Sequence, residues 1–236
     1  MGTLTRTEIA AEIRANLGGR TDLDTLLSTR INLSQRRIAR KHDWEELERT
    51  KVDASSATST KSYDVATFVG ESAATGNDVV KDIHTIRLIS AEESRRLIRV
   101  TPAQADMVIP YPENSATGKP FWYIWYGNYF EMIRIPDDSY TCYVRWSKYP
   151  DDMDNDASRS DLKNKDDAII ALTTSWSFSS LKMKEEAAHW FTIAKDLIND
   201  AMLDDNVDRD LTLRPIEELG IRHPTGNYWN DPFYRG

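Results

Sequence analysis

Asp152, Asp154 and Asp156, in the segment DDMDNDASRSD, occupy the first, third and fifth places of an EF-hand loop. With that spacing, carboxylates can converge on a calcium ion. The pattern breaks at the sixth place, where Ala157 stands instead of glycine, and at the twelfth, where Lys163 replaces the bidentate glutamate. The segment therefore reads as a solvated acidic loop. His42, His84, His189 and His223 are widely separated, no HExxH is present, and Cys142 is the only cysteine. Those residues offer no metal-ligand spacing. Neither a GxGxxG nor a Walker loop cradles phosphate, and no GxSxG turn presents a nucleophile. The expectation is a protein with no catalytic residues, no metal and no cofactor.

A second cluster could bind anions. Arg30, Arg36, Arg37, Arg40 and Lys41 lie together with no acid between them. Cations near the carboxyl end of a helix are favoured by its dipole, which accounts for the run structurally. Contact of Arg36, Arg37, Arg40 and Lys41 with DNA or an acidic neighbour is the functional alternative. The chain as a whole carries a net charge of −8. That balance opposes wrapping of nucleic acid, whose affinity comes from cations displacing counterions.

The third set is aromatic. Tyr228, Trp229, Phe233 and Tyr234 sit in IRHPTGNYWNDPFYRG, residues 221–236, which has no helical or strand period. Pro224 and Pro232 forbid a continuous helix across it. Sixteen extended residues span up to roughly 50 Å, and buried aromatics can dominate an interface. These four are the candidate partner-binding residues.

The elements that would position these groups follow from periodicity. Thr5 and Glu8 form a capping-box pattern, with Ile9, Ile13 and Leu17 recurring at four-residue steps until Gly18 and Gly19. A longer helix opens at 21–24 and ends near Trp44, with the stripe Leu23, Leu27, Ile31, Ser34, Ile38 and with Leu26 broadening it. LERTKVDA, KSYDVATF and DIHTIRLIS read as strands, the first two joined by a polar tip, SSATST. SAEESRRLIRV reads as a short helix capped by Ser90, and residues 101–118 as an irregular connection.

Residues 119–146 hold ten of the chain's 23 aromatic residues. FWYIWY, the GN turn, YFEMIRI, the PDDS turn and YTCYVRW predict a three-stranded antiparallel meander, with Trp122 or Trp125 and Trp146 buried. On the last strand Tyr140, Cys142, Val144 and Trp146 share one face. Rings of this size fill a core; a stacking platform or an exposed subunit interface are the alternatives. Two helices follow, about 166–180 with Ile169, Leu172, Thr173 and Trp176 on one side, and about 183–204.

At 236 residues the chain has enough length for a core without staples. Glu8, Glu12 and Arg14 interrupt any apolar run near the start, and no stretch approaches the roughly 18 apolar residues of a membrane span. The expectation is a soluble protein made in a cytoplasm, without membrane contact.

The succession resembles the head-to-tail connector, or adaptor, proteins of tailed bacteriophages. The likeness is carried by LSQRRIARKHDWEEL leading into strands, then GKPFWYIWYGNYFEMIRIPDDSYTCYVRWSKYP, two carboxyl-terminal helices and an extended tail. The resemblance implies an α+β fold: a helical bundle from 1–46 and 162–205, an inserted antiparallel β domain over 47–161, and an arm at 206–236. It also implies a homo-oligomeric ring, generally dodecameric, under the portal protein. Tail or nozzle proteins would bind below, and DNA would pass through the bore at ejection without specific binding. The place would be the virion neck, reached from the host cytoplasm during assembly. Another neck or baseplate protein is the alternative, and a DNA-binding accessory factor using residues 30–41 is a second.

Overall fold

The computed structural model describes residues 1–71, 80–89, 94–108 and 116–212, with side chains as far as residue 205. The fold is α+β, and its described residues form two compact units, 1–47 with 149–212 and 48–148.

In the first unit, α1 (Arg6–Asn16) and α2 (Asp24–Lys41) share one core with α5 (Asp166–Ser180) and α6 (Lys184–Thr212). The Thr5 side chain accepts from the Glu8 N–H, and the Glu8 carboxylate accepts from the Thr5 N–H at 2.7 Å, so the capping box is complete. The α2 stripe of Leu27, Ile31, Ser34 and Ile38 is buried, whereas Leu26 is exposed rather than widening it. The helix stops at Lys41, before Trp44, which is fully buried and donates its indole N–H to the Ile38 carbonyl at 3.1 Å. That indole closes the end of α2 with a ring, where the periodicity had placed one more turn.

The central helix α5 is buried on nearly every side, not on one. Its small hydroxyl residues permit this close packing. Ser34 and Thr173 share a hydrogen bond of 2.8 Å between α2 and α5, Ser177 donates to the Thr173 carbonyl at 2.8 Å, and Ser175 donates to Ala187 at 2.8 Å. Buried hydroxyls cost stability unless partnered, and these three are. Met153 and Leu162, within the stretch that links the units to α5, are buried in the same core. Asp166 ties the start of the chain to α5: one carboxylate oxygen accepts from the Thr3 N–H at 2.7 Å and the Leu4 N–H at 3.1 Å.

The second unit contains two four-stranded sheets over one core. The first sheet has the order β1 (Glu48–Ser55), β8 (Thr141–Lys148), β3 (Val80–Ile89), β4 (Ser94–Arg96). The second has β2 (Ser62–Asp64), β7 (Tyr129–Ile133), β6 (Trp122–Tyr126), β5 (Ile98–Val100). The expected meander is therefore cut in two. β6 and β7 form the hairpin at Gly127, whose φ of 57° suits the turn, but β8 crosses to the other sheet and runs between β1 and β3. β8 buries Cys142, Val144 and Trp146, and two long neighbours pair a strand this apolar more completely than a hairpin edge would. For the same reason β1 and β2 do not pair with each other. The β unit is not wholly antiparallel either, since β5 and β6 run parallel.

Three local readings are also corrected. Residues 65–69 are the short helix α3 rather than strand, because the Asp64 side chain caps the Thr67 N–H at 2.8 Å and Gly70 closes the turn with φ 79°. SRRLIRV forms β4 and β5 instead of a helix, bending between sheets at the buried Leu97; the Ser90–Glu93 cap lies outside the described residues. The expected connection contains α4 (Pro102–Val108), where Thr101 and Gln104 exchange hydrogen bonds in a capping-box pattern and proline takes the first helical place.

Irregularities in β3 keep its inward side continuous. A register shift between Ile83 and Thr85 changes the phase, so that Ile83, Ile86 and Leu88 all reach the core. Tyr63, Phe68, Tyr123 and Phe130 join them there, with Tyr63 and Phe130 stacked 5.3 Å apart. Trp146 is buried as expected, whereas Trp122 and Trp125 are only half-buried. Trp122 packs instead on a small cluster of Ala105, Ile124 and Ile133 outside the main core.

Candidate functional site

The basic run of α2 meets acids and rings of its own unit. Arg36 pairs with Asp152 at 3.1 Å, and the Arg37 guanidinium lies 5.7 Å from the Trp176 ring and 5.8 Å from Phe191. Arg40 stands 5.8 Å from Tyr149, and Arg30 donates to Ser177 at 3.1 Å and Ser180 at 2.7 Å. Each contact joins α2 to a segment that follows the β unit in sequence. Lys41 is exposed. Cation–ring contacts at such exposed places contribute about 0.5–1 kcal/mol each, enough to brace a helix without fixing it.

The acidic loop is the counterpart of that run. Asp156 pairs with Arg6 at 2.6 Å and Asp152 with Arg36, while the Asp161 carboxylate accepts from the Asp151 N–H at 3.0 Å. The aspartates thus point to separate partners. Among the described residues no group of three or more His, Cys, Asp or Glu side chains could hold a metal ion. Of the histidines, His42 bonds Asp205, His189 makes an edge contact with Trp190, and His223 lies outside the described residues. The arm aromatics Tyr228, Trp229, Phe233 and Tyr234 lie outside them as well.

Cys142 is buried between sheets, and desolvation pushes its thiol up to about 12. A thiol so held is protonated at neutral pH and is a poor nucleophile. The aromatic segment provides rings to three arginines: Arg95 and Arg134 stand 3.9 and 4.8 Å from Phe121, and Arg99 stands 4.9 Å from Trp125.

One surface was not legible beforehand. The outer face of the first sheet gathers Arg87, Arg96 and Arg145 with Tyr143, Thr85 and Ser94 around a cavity of about 470 Å³. These residues come from three segments separated in sequence, so no local motif announces them. Arg145 draws the Tyr143 hydroxyl below its ordinary pKa, first by hydrogen bonding and then by charge. The arginines offer charged hydrogen-bond donors to an anion, and among the described residues that line the cavity there is no carboxylate, histidine or thiol with which to move a proton.

Charge is unevenly divided along the chain. Residues 48–148 carry 12 basic and 13 acidic side chains, while the remainder carries 18 basic and 25 acidic. The acidity that opposes wrapping of nucleic acid therefore belongs almost wholly to the segments outside the β unit.

The family model for the SU10 adaptor protein matches residues 4–216. The chain belongs to the SU10 adaptor protein family. The match runs from the residue before the α1 cap to beyond the end of α6, so it covers both compact units. Membership makes the chain a structural adaptor protein of a bacteriophage and a component of the virion. No curated protein matches the chain. Among its described residues no helix is long and apolar enough to cross a membrane.

Proposed function

We propose that this adaptor forms a ring, generally of twelve copies, seated beneath the portal and joining the capsid to the tail. In this reading α1, α2, α5 and α6 make a bundle, and the β unit is an insertion in the sequence between α2 and α5. The genome passes through the bore without specific binding. The observation that carries the reading is the family match over both units. The excess of acid outside the β unit supports a conduit that does not retain DNA. The ring is non-catalytic, and its work is to match two assemblies.

Residues 206–236 serve as an arm in the same proposal, with Tyr228, Trp229, Phe233 and Tyr234 as anchors on the portal. Arg36, Arg37 and Arg40 brace α2 within its own unit, a role their acid and ring partners support over a DNA contact. Two experiments test the proposal. Images of the virion neck should show a ring of this chain between portal and tail; density for it only in a baseplate would overturn the reading. Deletion of residues 221–236 should leave a folded subunit that no longer binds purified portal, and unchanged binding would remove the arm from the mechanism.

A further inference from the structure

The outward arginines of the first sheet are brought together by strand register. Arg87 stands directly opposite Arg96 on β4 and opposite Tyr143 on β8, and Arg145 follows two residues along β8 on the same face. Directly opposed residues lie about 5 Å apart and diagonal ones about 7–8 Å. The three arginine positions therefore make a row about 12 Å long. Like charges set opposite each other weaken a sheet, so the strands themselves gain nothing from the directly opposed pair Arg87 and Arg96.

Helix α6 carries the complementary row. Asp196, Asp200 and Asp204 are exposed and recur at four-residue steps, which puts them on one helix face. Eight residues of helix rise about 12 Å, the length of the arginine row. Like charges at this spacing oppose the helix. All six side chains are exposed, and no ion pair between described residues engages any of them.

We propose that the Arg87–Arg96–Arg145 face of one copy docks on the Asp196–Asp200–Asp204 face of α6 in a second copy of this chain. Both faces repeat on each copy and differ from each other, so the contact is heterologous, and such contacts close rings when the rotation allows. Charge favours this partner over DNA, because the aspartate row matches the arginine row in length and sign, whereas a net charge of −8 repels a duplex. The inference rests on the multi-copy ring and specifies which surfaces join its subunits.

The test places the photoreactive residue p-benzoylphenylalanine at position 85, beside the arginines, in phage particles complemented with the full chain. The expected product is an adduct with a second copy, mapped by mass spectrometry to the segment around Asp200. Arg87→Glu with Arg96→Glu and Arg145→Glu should abolish it, as should Asp196→Lys with Asp200→Lys and Asp204→Lys. Both sets combined in one chain should restore it, which a merely structural effect would not do. Circular dichroism confirms that each variant is folded. An adduct with DNA or another virion protein, or no restoration by the combined set, overturns the proposal. Lysine-directed cross-linking of wild-type particles separates the two levels. Copy–copy products elsewhere would sink this interface alone, and their complete absence would sink the ring as well.

Discussion

His42 Nε2 lies 2.6 Å from Asp205 Oδ2, joining the residue that ends α2 to the third-last turn of α6. Both side chains are largely buried, 14% and 9% exposed. The other Asp205 oxygen accepts from the Glu45 N–H at 3.4 Å. The carboxylate thus holds both a ring and a backbone group just past α2. Asp205→Ala removes one acceptor from a part-buried ring and from the exposed Glu45 N–H and should cost about 0.5–1.5 kcal/mol. Hydrogen exchange should rise first around residues 199–207 and 42–45; uniform exchange across the chain would count against a local clasp.

Trp146→Ala should cost about 3–5 kcal/mol, because a fully packed ring leaves a cavity that its neighbours close only in part. Trp122→Ala should cost clearly less, since Trp122 is half-buried at a minor cluster. Chemical denaturation of the two variants gives the comparison. Equal losses would mean that the first sheet is not the anchor of the β unit.

The Glu8 carboxyl is held below its ordinary value of 4.5 by the Thr5 backbone N–H first and by the Thr5 hydroxyl next. A lowered folded value means that the charged form is favoured on folding. The contribution is therefore full above pH 4.5 and disappears as pH falls through the depressed folded value. Glu8→Gln should remove that pH dependence. Thermal melts of both proteins between pH 3 and pH 7, compared by difference, check it; parallel curves would contradict the cap's role.

Cys142 should be inert toward a thiol reagent in the native protein at pH 8 and react stoichiometrically after denaturation. Its burial and a thiol value pushed up to about 12 both point that way. Rapid native labelling would show that the two sheets open readily. Because it is the sole cysteine, the reagent reports on that one place.

The helices were legible because their signals are local. A cap three residues from its partner and a stripe at four-residue steps place α1 and α2 without knowledge of anything else in the chain. Strand partners carry no such signal. β8 has the alternation of a strand, and its inward face of Cys142, Val144 and Trp146 follows from the sequence, but the choice of β1 and β3 over β7 depends on contacts more than fifty residues away. The same limit hid the arginine face, which exists only once β3, β4 and β8 are in register. The basic run of α2 was visible as a run, but its acid and aromatic partners come from beyond the inserted strands.

The position of α5 has a consequence for synthesis. α1 and α2 emerge with their apolar faces uncovered, and the helix that covers them begins 125 residues after α2 ends. At about 5–20 residues per second that interval is about 6–25 s, ample for the intervening strands to close around their own core. The nascent chain thus carries the intervening strands behind an amino-terminal pair whose Leu27, Ile31 and Ile38 still lack the helix that buries them in the finished core.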